Sequence, residues 1–286
     1  MFSIKNITIP GSEGKPIALD IFSADAQQPR LVVVYAHGFN GFKDWGNFDL
    51  IAARLVQAGF SFIKFNFSHN GTTPAQPEDF VDLEAFGHNN YTRQLYDLRQ
   101  VINWICDGNN PYRTVLDTQH IALIGHSMGG GISILYAATD NRITALIGWA
   151  SIGQCKTPWG NWDDEKMQAW ANSGVEYYHN GRTHQQMPLY YQLYQDYQQH
   201  QEALDIQKSI AGLTIPILLC HGTQDAAVPF TVAEQLQHWQ PNARLFAVDS
   251  DHVFGRKHPW PHDELPEAME AVLGEMIRFI QSNCKR

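Results

Sequence analysis

The chain has few cysteines, few clustered basic residues and no long apolar run, and each shortage excludes something. Its four cysteines, Cys106, Cys155, Cys220 and Cys284, stand far apart with no CxxC pair. They read as single thiols, not as a disulfide framework or a zinc site, and the expected compartment is reducing, the cytoplasm. The formal net charge is −9, and there is no basic run apart from the short Lys285–Arg286 end. Nucleic-acid binders depend on clustered Lys and Arg, so no nucleic-acid partner is expected. No segment approaches the roughly 18 apolar residues of a membrane helix. The N-terminal stretch MFSIKNITIPGSEGKPIALDIF alternates apolar and polar residues, predicting a β-hairpin without the features of a secretory signal.

What is present is a recurring strand signal. FSIKNITI and IALDIF are followed by LVVVYA, FSFIKFNF, IALIG, ALIGWA, IPILLCHG and ARLFAV, with helix-length stretches between the later ones. Over 91–105, Tyr91, Leu95, Leu98, Ile102 and Ile105 recur at helical spacing and predict a helix with one apolar face. The inner strands are continuous apolar runs, as expected for a mostly parallel sheet covered by helices on both faces, an α/β doubly wound fold. The pattern breaks over 151–209, a stretch rich in Gln, Tyr and Trp. It reads as an inserted helical cap between core segments 1–150 and 210–286. The alternative is a long helical connection packed on the sheet.

The segment IALIGHSMGGG, 121–131, contains Gly125-His126-Ser127-Met128-Gly129, which fits the G-x-S-x-G nucleophile elbow. Small neighbours let the serine take a strained backbone conformation between strand and helix, exposing Oγ at a helix N-terminus whose partial positive charge favours anions. The rival readings are a phosphate cradle or a plain structural turn. A P-loop needs Lys followed by Ser or Thr after its second glycine, and none follows here; the dinucleotide spacing fails because Ser127 stands two residues after Gly125.

A serine nucleophile needs a base, and the base needs an acid to fix its tautomer. In this chain order both follow the serine, each just after a strand. HGTQDAAVP places Asp225 after IPILLC, and DSDHVFG places His252 after RLFAV. Asp225 alone can equally be a turn or cap residue, and Asp249 and Asp251 adjoin His252 too closely to be its orienting acid. His126 lies beside the nucleophile, with its side chain expected to point elsewhere. Oxyanion donors are expected from the backbone N–H of Met128 and from that of Phe39 in the His37-Gly38-Phe39 loop.

With HGF at 37, GHSMG at 125, Asp225 and His252 in this order, the sequence resembles the α/β-hydrolase superfamily from about residue 17 to its C-terminal helix. HGFNGFKDWGNFD, FNFSHNGTTP and DLEAFGHNNY look like a bacterial subgroup, and more loosely the chain is similar to cinnamoyl or feruloyl esterases and their serine-peptidase-like relatives. The resemblance implies metal-free, cofactor-free ester hydrolysis through an acyl-enzyme on a small or medium, possibly aromatic, acyl ester. The aromatics Trp159, Trp162, Tyr190 and Tyr191 of the insert are expected to line an acyl pocket, unless they simply pack the insert onto the body. The polar stretch 66–90 is either a second wall or a surface excursion. Two other readings stay open. An aminopeptidase would use Asp163, Asp164, Glu165 or Glu176 to hold a substrate ammonium, and a silent binding protein would keep the fold without chemistry.

Overall fold

Strand β1 (Phe2–Pro10) turns back as β2 (Pro16–Ser23), the antiparallel hairpin expected from the alternating N-terminus. The computed structural model describes residues 1–24 and 28–284, so the Lys285–Arg286 pair lies outside the described residues. The chain then alternates: β3 (Arg30–Ala36), α1 (Phe48–Gln57), β4 (Ser61–Asn66), α2 (Leu83–Gly87), α3 (Tyr91–Cys106), β5 (Leu116–His126), α4 (Met128–Ala137) and β6 (Ile143–Trp149). After an excursion come β9 (Ile217–Gly222), α8 (Phe230–Trp239), β10 (Arg244–Val248) and α9 (Glu267–Asn283). The excursion itself holds α5 (Asp164–Ser173), β7 (Val175–His179), β8 (Gln186–Tyr190), α6 (Gln192–Gln199) and α7 (Ile206–Gly212).

Eight strands form one sheet in the order β1-β2-β4-β3-β5-β6-β9-β10, parallel from β4 through β10. Continuous apolar strands arise because both faces are covered. In β3, Val32, Val34 and Ala36 enter one core while Leu31, Val33 and Tyr35 enter the other. The first core is closed by α3, α4 and α8, the second by α1 and α9. Helix α3 matches the sequence periodicity, and Asn90 caps it by accepting the Arg93 N–H at 2.9 Å.

Within 151–209 the helices share space with an antiparallel hairpin, β7–β8, which the sequence reading did not anticipate. Trp170 is fully buried and donates from Nε1 to the Leu189 carbonyl at 2.6 Å, tying α5 to β8. Trp159, Trp170, Met187, Leu189 and Leu193 belong to the same apolar cluster as α3 and α4, so this segment is packed continuously onto the body.

Stretch 66–90 is not a surface excursion at its start. Ser68, His69, Asn70 and Thr72 are buried, and Asn70 donates to the Gly41 carbonyl at 3.2 Å. Asn66 accepts the Lys43 N–H at 2.6 Å, so this polar stretch braces the loop after β3. No described helix is long and apolar enough to cross a membrane.

Candidate active site

Parallel strands place the ends of β3, β5, β9 and β10 on one edge of the sheet, where ligand crevices form in open α/β folds. At the end of β5 the chain turns sharply into α4 through Ser127, whose φ of 55° and ψ of −119° lie in a region costly for a residue with a side chain. The turn is held by the Ser127 N–H donating to the Trp149 carbonyl at 2.8 Å, and by the Ser127 carbonyl accepting from Gly130 and Ile152 at 2.9 and 3.2 Å. It also requires glycine on either side. A Cβ on Gly129 would lie 2.4 Å from the carbonyl oxygens of both Ala36 and His37, and one on Gly125 would lie 2.2 Å from that of Gly129.

His252 and Asp225 meet across neighbouring loops: His252 Nδ1 and Asp225 Oδ2 are 2.7 Å apart. The loops approach closely enough that a Cβ on Gly222 would stand 2.3 Å from the Ser250 carbonyl. The Asp225 side chain is fully buried, and Oδ1 accepts the N–H groups of Ala227 and Val228 at 2.9 and 2.8 Å. Burial pushes its pKa up, but hydrogen bonds from His221 and His252 and from the backbone outweigh this and hold it well below the usual carboxylate range. An ionised carboxylate only accepts, so Nδ1 of His252 carries a proton and the neutral tautomer selected is the one whose Nε2 accepts. Asp249 and Asp251 shape the surrounding loops instead: Asp249 accepts from Gln224, and Asp251 accepts the N–H groups of Val253 and Gly255.

His126 was not expected to take part. Its Nε2–H donates to the His252 carbonyl at 3.0 Å and its ring lies 4.8 Å from the His252 ring. Burial, then the nearby His252, keeps its pKa well below the ordinary value, so the ring is neutral. The position is the variable residue of G-x-S-x-G, so no sequence signal distinguishes it. His37 is also neutral, pushed down to about 4 by burial, with Nδ1–H donating to the Gly38 carbonyl and Nε2 accepting the Phe67 N–H. That ring fixes the loop carrying Phe39.

Ser127, His252 and Phe39 line one cavity of about 310 Å³. The Ser127 hydroxyl makes no hydrogen bond to another described residue, and the N–H groups of Phe39 and Met128 likewise donate to none, consistent with open donors at a helix start. The Phe39 ring packs edge-on against Tyr178, which reaches the cavity from β7. Asn180, just beyond β7, donates to Asn40 Oδ1 at 3.1 Å and docks the hairpin on the same loop.

The four insert aromatics expected at an acyl pocket lie elsewhere. Trp159 is buried among Tyr91, Trp170, Tyr194 and Tyr197. Trp162 and Tyr191 pack on Trp170, and Tyr190 donates to Glu84 at 2.6 Å. None of the four lines the cavity beside Ser127. They pack the insert onto the body because an indole or phenol buried on other rings releases more water than one left facing a cleft. Among the described residues, no group of three or more His, Cys, Asp or Glu side chains could hold a metal ion.

Comparison with known proteins agrees with this architecture. Among solved structures, Est1E of Butyrivibrio proteoclasticus with ferulic acid bound superposes with a TM-score of 0.72 at 17% identity, covering 98% of this chain and 100% of that one. The esterase domain of a Rhodothermus marinus protein gives 0.66 at 14% identity, covering 100% of both chains. A curated relative, the quorum-quenching protein AidA of Acinetobacter baumannii, is 27% identical over 41% of this chain; the match spans 34% of that relative's length. A family model described as the alpha/beta hydrolase fold matches residues 32–180, about half of the chain. With that match over the loop after β3, the Ser127 turn and the first part of the insert, the chain belongs to the alpha/beta hydrolase fold family.

Proposed function

We propose that this chain is a serine hydrolase that cleaves carboxylic esters through an acyl-enzyme. The observation that carries the reading is the meeting of the strained Ser127 turn and the Asp225–His252 pair at one cavity. Ser127 Oγ attacks the ester carbonyl while His252 Nε2 takes its proton, and ionised Asp225 stabilises the imidazolium. The N–H groups of Phe39 and Met128 hold the tetrahedral oxyanion. His252 then gives the proton to the departing alkoxide, and a water deprotonated by His252 releases the acid and restores Ser127. Residues 151–209 form the cap over this centre, with Tyr178 as its contribution to the cavity wall and residues 1–150 and 210–286 as the core. Four unpaired cysteines suit a reducing, cytoplasmic setting.

An ester is favoured over a peptide with a free amino terminus. Asp163, Asp164 and Glu165 are exposed at the start of α5, and among the described residues no carboxylate lines the Ser127 cavity to hold an ammonium group. The test is labelling with a fluorophosphonate, alongside turnover of aryl esters and aminoacyl amides. Wild-type protein is expected to label and Ser127→Ala to remain folded but unlabelled. Unlabelled, folded wild type would remove the reading.

A further inference from the structure

Three cationic side chains are fully buried among the described residues, and two of them are paired. Lys43 Nζ lies 2.7 Å from Asp20 and 2.6 Å from Asp44, and Lys64 Nζ lies 2.5 Å from Asp44. The third, Arg256, is 3% exposed and makes no ion pair within 4 Å among the described residues; exposed Asp251 and the Tyr35 hydroxyl are the groups that act on it electrostatically. It lies four residues beyond His252 and lines the Ser127 cavity, where among the described residues it is the single Lys, Arg, Asp or Glu side chain.

Its Nε donates to the Val253 carbonyl at 2.9 Å, while Nη1 is buried with no hydrogen-bond partner. The guanidinium is packed among the rings of Trp45, Phe48 and Trp149, with its carbon 5.3 to 5.6 Å from their centroids. Such contacts orient a cation and partly offset its lost hydration, but they satisfy no N–H donor. Tyr35, also at the cavity, supplies no negative charge, because burial pushes its phenol up to about 12. With its one nearby carboxylate, Asp251, exposed to solvent and not in direct contact, a desolvated guanidinium is costly unless an anion completes it, and the planar fork of donors matches a carboxylate.

We propose that Arg256 is the specificity-determining residue of this cavity and recognises a carboxylate carried by the ester substrate. The inference rests on the assignment of Ser127, His252 and Asp225 as the ester-cleaving trio and adds the substrate class: half-esters of dicarboxylic acids, or esters whose alcohol portion bears a carboxylate. Both sources present the same group to Arg256. The Ser127 cavity, at about 310 Å³, is sized for a small ester.

The test uses wild-type protein and two pairs of near-isosteric esters. One pair places the charge on the acyl side: para-nitrophenyl hydrogen glutarate against its carboxamide counterpart. The other places it on the leaving group: the acetyl ester of para-hydroxybenzoate against that of para-hydroxybenzamide. In at least one pair the anionic member is expected to show a kcat/KM about 10- to 100-fold above the neutral one, the range of one charge-assisted hydrogen bond. The pair that responds identifies the side of the ester that carries the charge. In Arg256→Met, which keeps an apolar stem under the rings, the ratio should fall to about one, with Arg256→Lys between the two. A merely structural arginine would lower stability and leave the ratio in place. Should Arg256→Met fail to fold, the wild-type ratios alone decide. Wild-type ratios of one or less in both pairs, with fluorophosphonate labelling intact, overturn the role of Arg256 and leave the ester reading standing. Loss of labelling itself overturns the ester reading.

Discussion

Replacing Asp225 by Asn tests how this site sets the proton on His252. The substitution preserves volume and removes one charge, yet the hydrogen bonds dictate how the amide must lie. Oδ1 accepts two backbone N–H groups, from Ala227 and Val228, so the amide oxygen is forced to that side. The NH₂ group then faces His252 Nδ1 at the 2.7 Å contact, where the carboxylate now accepts. His221, 3.2 Å from the same oxygen, keeps its Nε2–H on the Val228 carbonyl and offers no acceptor in exchange. Nδ1 must therefore accept, which moves the imidazole proton to Nε2 and removes the lone pair that takes the Ser127 proton. A wrong tautomer in a triad of this kind lowers kcat by about 10⁴, or about 5 kcal/mol of barrier. The assay is the steady-state rate on a para-nitrophenyl ester, with circular dichroism and thermal melting to show that the fold persists. A folded Asp225→Asn protein within about tenfold of wild-type kcat would refute the tautomer argument and the assignment of Asp225 with it.

Other outcomes follow from the same geometry. His252→Ala should abolish ester turnover without unfolding the chain; near-normal turnover would show that another group is the base. Lys43→Met removes one of the two buried cations, Lys43 and Lys64, that Asp20 and Asp44 share, and should cost about 3 kcal/mol in urea unfolding, the lower end of the range for a broken buried pair; a loss below about 1 kcal/mol would contradict this. His37, His69 and His126 have folded-state pKa values lowered chiefly by burial, the first two to about 4. The unfolded chain binds those protons near pH 6.5, so stability is full above that value and is lost as pH falls from about 6.5 toward 4. Asp97, pushed up to about 6 by burial, acts in the opposite sense over part of this window. Asp225, with its lowered pKa, adds to the loss at more acid pH. Thermal melting between pH 7 and pH 4 should show a falling midpoint, and a flat profile over that range would be the contrary result.

The inner sheet strands were readable because burial on both faces turns them into unbroken apolar runs such as LVVVYA, the N-terminal hairpin because its residues alternate, and α3 because one face of Tyr91, Leu98 and Ile102 is buried. The places of Ser127, Asp225 and His252 just after β5, β9 and β10 were readable from the strand order. The β7–β8 hairpin was not, since only Met187, Pro188 and Leu189 of it are buried and its other strand is polar and half-exposed. Its strands are joined by the six residues 180–185, too long a connection for the two-residue turn signal that marks a tight hairpin. Trp159 misled because an aromatic in sequence does not say whether its neighbours are ligand or other rings. Arg256 and His126 carry no local signature at all. Their significance lies in their surroundings: for Arg256 a buried Nη1 without a hydrogen-bond partner beside the cavity, and for His126 a carbonyl 126 residues away in the chain.

That last contact has a mechanical consequence. His126 immediately precedes Ser127 and grips the main chain of His252, so the end of β5 and the loop after β10 are clamped beside the cavity. Displacement of that sheet edge then carries Ser127 and His252 together, and the gap between them varies less than either position does. Strain on the cavity wall leaves that gap little changed.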